Sequence, residues 1–342
     1  MFAKKYYFWR DYSVTIFFLC LLCATIVRAQ SPSTQGTDFY VAFPYNYESI
    51  TELKLIITGQ RSCSGRVENP RTGWSASFSV SPSQVTNVVI PIAQAYNDDI
   101  GVFNHGIHVA TTDTVSVYAS SYYEASFDVA NVLPTSSLRD SYFIQTYPNA
   151  EYSWSLFTVV ATENNTIVDI TPSAIPSDRY NLSRYSVTLQ AGQVYHTGCY
   201  GAGSMSGTVI TSRDCKPIAV FAGSSVAFVP SDVCCGDFLF EQLMPTDYHG
   251  RHFVVTSSEM RNEDRVIITA SEDNCEVRSG NQLVATLSAG EPNIQSLKSK
   301  RHSALSGGVS AGGQKTPRSM PSISPRTFCS ASGTSSPENG LE

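Results

Sequence analysis

The chain has 342 residues, of which 42% are hydrophobic, 11% aromatic and only 15% charged, with a formal net charge of −6. The hydrophobic fraction is enough to bury a sizeable core. The basic residues are concentrated at the two ends, so the body between them is acidic, which argues against nucleic acid and anionic membrane surfaces as partners.

The N-terminus has the pattern of a secretion signal. Lys4, Lys5 and Arg10 precede an apolar run at 14–27, and the small residues around Ala29 suit cleavage by signal peptidase. An uncleaved anchor is the alternative, but the run is short for a hydrocarbon core of about 30 Å. We therefore expect a signal peptide at 1–29 and a secreted, extracellular mature protein. No later segment is long and apolar enough to span a membrane.

The rest of the chain repeats itself at intervals of about 105 residues. Phe39, Phe143 and Phe253 open three similar stretches, and each is followed by an apolar run rich in Val, Ile and Thr. Such runs alternate with Gly, Pro, Asn, Asp and Ser, and no sustained helical period follows residue 30, so the sequence predicts an all-β fold. A fixed period with strand content predicts repeated antiparallel β units whose usual role is to present a surface.

The repeats set the predicted domain boundaries. We expect one β domain at 30–295, with units at about 36–135, 140–246 and 250–291, the last lacking the strand pair that closes the other two. Seven or eight short strands per unit fit a β-propeller or tandem β-sandwiches, and the short turns without linkers favour the propeller. The basic, Ser-, Gly- and Pro-rich residues 296–342 are predicted to be a disordered tail.

The number of cysteines between the signal peptide and the tail is even, which predicts disulfide bonds in an oxidising compartment. They are Cys63, Cys199, Cys215, Cys234, Cys235 and Cys275. Cys199 and Cys215 flank one predicted strand and are the favoured pair. The adjacent Cys234 and Cys235 should each bond a different partner, because a bond between neighbours is strained. A metal site is the alternative, but no Cys-x-x-Cys occurs outside the signal.

Two sequons, at Asn164 and Asn181, are candidates for N-glycosylation in a secreted protein. The first lies in a predicted turn between two strands of the second unit. A glycan at this position would mark the turn as facing solvent.

We expect no catalytic, cofactor-binding or metal-binding residues. His105 and His108, like His249 and His252, form His-x-x-His pairs at strand entrances. On a strand, side chains three positions apart point to opposite faces, so neither pair can share one ion without a further ligand. The acidic loop residues do not follow a calcium-binding loop, and no Gly-x-Ser-x-Gly nucleophile motif occurs within residues 30–295.

Loops at one end of the units are the predicted contact surface, since exposed loops carry function more often than strands do. Tyrosines in or beside these loops are the candidate anchors, because aromatic side chains dominate interfaces. They are Tyr122, Tyr123, Tyr147 and Tyr195.

Five ordered segments between residues 36 and 291 resemble the N-terminal domain of the IgGFc-binding protein family. They begin at Gly36, Phe157, Lys216, Cys235 and Gly250. The resemblance implies a secreted, non-enzymatic domain of mucus or cell-surface glycoproteins, which in the type protein binds the Fc part of immunoglobulin G. This chain lacks the Cys-dense von Willebrand factor type D modules often joined to that domain.

The sequence therefore predicts a secreted binding or adhesion module that recognises an extracellular glycoprotein or a mucus or matrix partner, without a cofactor. The alternative is an extracellular lectin-like or hydrolytic β-propeller. The sequence sets neither the identity of the partner nor the oligomeric state.

Overall fold

The computed structural model of the chain describes residues 32–46, 50–148, 152–229, 235–255, 263–298, 303–309 and 323–327. The predicted signal peptide lies outside these residues. Within them, no helix combines the length and the apolar character that crossing a membrane requires. The fold is all-β with antiparallel strands, as the sequence predicts, and apart from three short 3-10 turns the helix α1 is the only helix described.

The first segment consists of eight strands and the short helix α1. Their bounds are β1 (Gln35–Val41), β2 (Glu52–Gly59), β3 (Cys63–Glu68), β4 (Ser75–Val80), β5 (Val85–Ile90), α1 (Ile92–Ala95), β6 (Gly101–Phe103), β7 (Ile107–Tyr123) and β8 (Ser126–Val132). Strand β2 shows why the sequence forms a sheet: Leu53, Leu55 and Ile57 are buried, while the residues between them are partly exposed. This period of two places one face of the strand on the core.

Strand β7 organises the first segment because it is long enough to pair with four other strands of one sheet. Its first half pairs with β1 and β3, and its second half pairs with β2 and β8. The end strands β4 and β5 approach each other. The seven-stranded sheet is therefore bent into a nearly closed, barrel-like form around its own core.

The second segment forms two four-stranded sheets. Its strands are β9 (Ser141–Phe143), β10 (Trp154–Ala161), β11 (Thr166–Thr171), β12 (Tyr185–Leu189), β13 (Val194–Tyr200), β14 (Val209–Ser212), β15 (Ile218–Ala227) and β16 (Asp237–Gln242). One sheet has the order β12-β11-β14-β9 and the other the order β16-β15-β10-β13, with β6 of the first segment added beside β13. Residues from both sheets share one hydrophobic cluster, so the sheets enclose a common core.

The third segment has a similar strand order. Its strands are β17 (His252–Val255), β18 (Glu263–Ala270), β19 (Cys275–Ser279), β20 (Gln282–Leu287), β21 (Pro292–Lys298), β22 (Ser303–Val309) and β23 (Ile323–Thr327). Its sheet β20-β19-β22-β17 matches β12-β11-β14-β9, and its sheet β23-β18-β21 matches β15-β10-β13, while β16 has no counterpart among the described residues. In the first segment, the two halves of β7 take the places of β14 and β15.

Equivalent turns of the second and third segments also agree in detail. Asn165 after β10 and Asn274 after β18 both have positive φ, at 55° and 58°. Asparagine tolerates this left-handed conformation better than most residues. One residue earlier, Asn164 Oδ1 accepts a hydrogen bond from the amide of Ala191, and Asp273 Oδ1 accepts one from the amide of Ala289.

The all-β prediction is confirmed: the described residues form several antiparallel sheets, one of them nearly closed, around hydrophobic clusters. The choice between a propeller and tandem sandwiches stays a prediction. Within the predicted tail the structure describes two short strands, β22 and β23, which pair with β19 and β18. Disorder of the tail as a whole stays a prediction.

The first two segments also share a core. Val160 and Val194 on the outer face of the second segment's sheet belong to the same hydrophobic cluster as Phe39 and Val41 of β1. This packing brings the end of hairpin β7–β8 beside the start of β10 and the end of β15, where the candidate site lies.

Candidate binding surface

Two of the four candidate tyrosines are buried, which corrects the sequence-based prediction. Tyr195 is 1% exposed on β13, where its hydroxyl donates to Asp178 and lies 3.0 Å from the hydroxyl of Tyr185. Tyr147 is 5% exposed and packs against Ile267 of the third segment. Both side chains fill cores, as tyrosines in β proteins commonly do, and neither can serve as an exposed anchor.

Tyr122 and Tyr123 end β7 and point to opposite faces of the sheet, as neighbouring strand residues must. Tyr122 is exposed and meets Phe127 edge-on across the hairpin, with ring centroids 5.8 Å apart. Tyr123 instead lines a surface hollow. Only Tyr123 therefore belongs to the candidate site described next.

The hollow has a volume of about 530 Å³ and is mainly apolar and aromatic. Its lining residues, which we call the aromatic hollow, are Tyr123, Ala125, Ser126, Tyr152, Val226, Phe228 and Gly236. Tyr152 is about half exposed and meets Phe228 edge-on, with ring centroids 6.4 Å apart. Exposed aromatic rings held by contacts with each other are the usual anchors of protein interfaces.

A glycine makes the floor of the aromatic hollow. A Cβ atom at Gly236 would lie 2.6 Å from Cγ1 of Val226 and 3.0 Å from the ring of Phe228. Any larger residue at this position must displace the side chain of Val226 and crowds the Phe228 ring. Sequence reasoning missed Tyr152 and Phe228, which become neighbours only because β10 pairs with β15.

Below the hollow, the edges of β8 and β16 meet without a backbone ladder, and side chains link them. Asp128 Oδ2 accepts a hydrogen bond from the amide of Phe240, and Asp237 Oδ1 accepts one from the amide of Phe127. The Ser126 hydroxyl accepts from the amide of Phe238. We call this contact the β8–β16 seam.

Burial raises the pKa of Asp128 to about 7, and the nearby Asp237 adds to the rise. Burial also raises the pKa of Asp237. Backbone amides that donate to both carboxylates oppose these shifts. The seam therefore holds two carboxyl groups whose charged forms are disfavoured by removal from water.

A second hollow, of about 190 Å³, lies between the first two segments. Tyr45, Ile100, Trp154 and Leu156 form its apolar walls, and Asp98, Asp99 and His196 complete its lining. His196 is fully buried, with Nδ1 2.6 Å from the Thr158 hydroxyl, and burial lowers its pKa to about 3. The imidazole is therefore neutral, and the charge of this hollow comes from the two exposed carboxylates.

A larger depression, of about 680 Å³, has a different character. It crosses β3, β4 and β7, and its walls are mostly serine and threonine with Arg66 and Phe78. Phe78 lies over Gly65, where a Cβ atom would come within 2.3 Å of the ring. Because the Phe78 ring is already packed on Gly65, the depression offers a partner fewer aromatic anchors than the aromatic hollow does.

The histidines lie in separate environments. His108 Nε2 is 2.7 Å from Asp38 and Nδ1 is 3.3 Å from Glu68, so one imidazole links β7 to β1 and β3. His105 stacks on Phe103, and His249 contacts the Ser271 hydroxyl. Within the described ranges, no group of three or more potential ligand residues could hold a metal ion.

The structure does not bring Cys199 and Cys215 together. Cys199 lies opposite Ser155 at one end of β10, whereas Cys215 lies just before Ile218, which pairs with Ala161 at the other end. Six strand residues separate these ends by about 20 Å, far beyond the Cα distance of a disulfide. Cys63, Cys199, Cys215 and Cys275 are free thiols here. Cys234 lies outside the described residues, and disulfide bonding of the set stays a prediction.

Both predicted glycosylation sites have exposed side chains. Asn164 lies in the turn between β10 and β11, and Asn181 lies in the loop between β11 and β12. Asn181 Oδ1 accepts a hydrogen bond from the amide of Ser183, which fixes a local turn. Modification of either asparagine stays a prediction.

Comparison with known proteins identifies the family. The family model described as IgGFc binding protein matches residues 128–306, which are 179 of the 342 residues. The match begins in β8, covers the second segment and ends in β22, and it includes Tyr152, Val226, Phe228 and Gly236 of the aromatic hollow. Neither the curated proteins nor the solved structures contain a match to the chain. The chain belongs to the IgGFc-binding protein family, as its sequence resemblance suggested.

Proposed function

We propose that the protein is a secreted, non-enzymatic binding module that holds an extracellular protein or glycoprotein partner at the aromatic hollow. The observation that carries this proposal is the pair Tyr152 and Phe228, two rings in edge-on contact at the rim of a mainly apolar hollow. Membership of a family described by its binding to the Fc part of immunoglobulin G supports an extracellular protein partner.

We also infer that the three segments are copies of one eight-strand sandwich. The shared strand order and the matching Asn165 and Asn274 turns support this inference. A repeated rigid scaffold fits a binding role, because it holds connecting loops in fixed positions while their sequences vary.

Binding to two immobilised probes tests the proposed function. The full chain is secreted from eukaryotic cells and passed over purified mucin and over an immunoglobulin G Fc fragment. We expect at least one probe to bind, and Tyr152→Ala or Phe228→Ala to raise its Kd by about tenfold or more, as loss of an interface anchor does. Tyr180→Ala is the matched control, because Tyr180 is fully exposed on another loop. Failure to bind either probe, or equal binding by all variants, contradicts the proposal.

The second hollow favours a second candidate function, lectin-like recognition of a sugar. Its volume of about 190 Å³ suits a single sugar ring, and it combines the aromatic Trp154 and Tyr45 with the carboxylates of Asp98 and Asp99. Aromatic rings stack on sugar faces and carboxylates accept hydrogen bonds from hydroxyls. A glycan array tests this candidate: a bound glycan that Trp154→Ala releases would support it, and an array without binding would reject it.

A further inference from the structure

Each segment has one sheet face that points away from its own core, and these faces occupy equivalent positions. In the central strands of these sheets, Leu53, Leu55 and Ile57 of β2 face inward, as do Phe157, Val159 and Ala161 of β10 and Val266, Ile268 and Ala270 of β18. The residues between them form what we call the outer face of each segment.

The outer face of the second segment is buried under the first segment. Thr158, Val160 and Phe221 are fully buried there. Val160 and Phe221 belong to the same cluster as Phe43, and the Phe43 ring lies 6.1 Å from that of Phe240. A preceding sandwich therefore covers this face.

The outer face of the third segment is buried under the second segment in the same way. Ile267 and Thr269 are fully buried. Tyr147 packs on Ile267, and Gln145 Nε2 donates to the Thr269 hydroxyl at 3.0 Å. Tyr147 stands four residues after Phe143, as Phe43 stands four residues after Phe39, and a proline follows each of them.

The outer face of the first segment has no preceding sandwich over it within the described residues. Val85 is 62% exposed and Val89 57% exposed on β5, and Tyr118 is 37% exposed on β7. Ile56 and Lys54 of β2 lie on the same face, because Ile56 pairs with Tyr118 and Lys54 pairs with Val89. Contiguous apolar side chains on an exposed sheet face mark interaction surfaces.

We propose that this outer face binds the same face of a second copy of the chain, giving a two-fold symmetric dimer. In this protein the other two outer faces are buried against a neighbouring segment of the same chain. The first segment's face is apolar, with little charge, and a second copy can bury it in the same way. A two-fold contact uses the same patch on both subunits, so the patch must be compatible with itself.

The charges on the face satisfy this condition. On β2 the only charged side chains are Glu52 and Lys54, which form an ion pair of 2.6 Å with each other. The outward residues of β5 are Val85, Asn87 and Val89, which carry no charge. Two copies therefore meet through apolar side chains without like charges in opposition, although the chain as a whole is acidic.

Sedimentation equilibrium of the full secreted chain across micromolar concentrations tests the dimer. We expect the mass to rise from one chain to two, and Val89→Lys or Tyr118→Lys to weaken the association by about tenfold or more, because each places an unpaired charge in the interface. Val102→Lys is the control, since Val102 is similarly exposed but lies on β6. Equal association of all variants, or a wild-type chain that stays monomeric, overturns the proposal.

The dimer proposal and the proposed binding function can be contradicted independently of each other. Tyr152→Ala should weaken partner binding by about tenfold or more and leave self-association unchanged, whereas Val89→Lys should weaken self-association and leave partner binding unchanged. Thermal unfolding of each variant shows whether it is folded. If either Val89→Lys or Tyr118→Lys does not fold, the other variant still tests the dimer.

Discussion

The two junctions between segments are built differently. Between the first and second segments, one hydrophobic cluster contains Phe39 and Val41 together with Val160 and Phe221, and the β8–β16 seam adds polar links. Between the second and third segments, the junction is a cluster of a few residues centred on Ile267 and the hydrogen bond from Gln145.

This difference predicts how the protein unfolds. Segments that share a large core unfold together, whereas a segment joined by a small contact opens at lower free energy. We expect the first two segments to form one cooperative unit and the third segment to unfold separately. Trp74 and Trp154 lie in the first two segments and the third has no tryptophan, so fluorescence and far-UV circular dichroism can separate the two units.

Phe221→Ala should have the largest effect. Phe221 is fully buried in the shared core, and truncating a buried Phe costs about 4 kcal/mol of unfolding free energy. Urea unfolding followed by tryptophan fluorescence should shift to lower denaturant as a single transition. Separate transitions of Trp74 and Trp154, resolved with single-tryptophan variants, would contradict a common unit for the first two segments. Tyr180→Ala, at a fully exposed position, is the control.

Ile267→Ala should affect the other junction. Removing a buried Ile side chain costs about 3 kcal/mol, and here the loss falls mainly on the third segment. The circular dichroism transition should split or shift to lower urea, while the fluorescence transition stays near its wild-type midpoint. An equal shift in both signals would show that the three segments unfold as one.

Asp128 variants examine the polar part of the larger junction. Asp128→Ala leaves the amides of Phe240 and Val129 without their acceptor, at a cost of about 2 kcal/mol. Asp128→Asn keeps an acceptor oxygen and should cost less. If both variants unfold at the same urea concentration as the wild type, the seam contributes nothing to the junction.

The raised pKa of Asp128 also gives the seam a pH dependence. The folded protein binds a proton on Asp128 more tightly than the unfolded chain does. The stabilisation that results is fully present below the pKa of Asp128 in the unfolded chain, and it is lost as the pH rises through about 7. The unfolding free energy of Asp128→Asn should therefore fall less between pH 4 and pH 7 than that of the wild type. Identical pH profiles would show that Asp128 ionises normally in the folded protein.

The sequence predicted what depends on local pattern, namely the all-β fold and the turn that contains Asn164. It missed what depends on distant partners. Tyr147 looks like a loop anchor until Ile267, far along the chain, is seen packed against it. The aromatic hollow is formed by three chain regions that only the fold brings together.

The ion pair of His108 with Asp38 should have a smaller effect. The hydrogen bond to Asp38 raises the pKa of His108, and the same bond lowers the pKa of Asp38. The stabilisation from protonated His108 is lost as the pH rises through the raised pKa of His108. The stabilisation from ionised Asp38 is lost as the pH falls through the lowered pKa of Asp38. The ion pair therefore stabilises the fold most at pH values between these two pKa values. His108→Gln should cost about 1 kcal/mol or less in that window. The cost should shrink at alkaline pH, and a constant cost from pH 5 to pH 9 would argue against the pair.

The smallest stability change is expected at the turn that the second and third segments share. Asn164 in the second and Asp273 in the third each accept a hydrogen bond from the backbone amide of an equivalent alanine, Ala191 or Ala289. Asn164→Asp should keep this bond, because the carboxylate retains the accepting oxygen, and should abolish the sequon. Mass spectrometry of the secreted chain should show the loss of one glycan, while the unfolding free energy changes by less than about 0.5 kcal/mol. An unchanged mass would show that Asn164 carries no glycan, and a large loss of stability would show that the two turns are not equivalent.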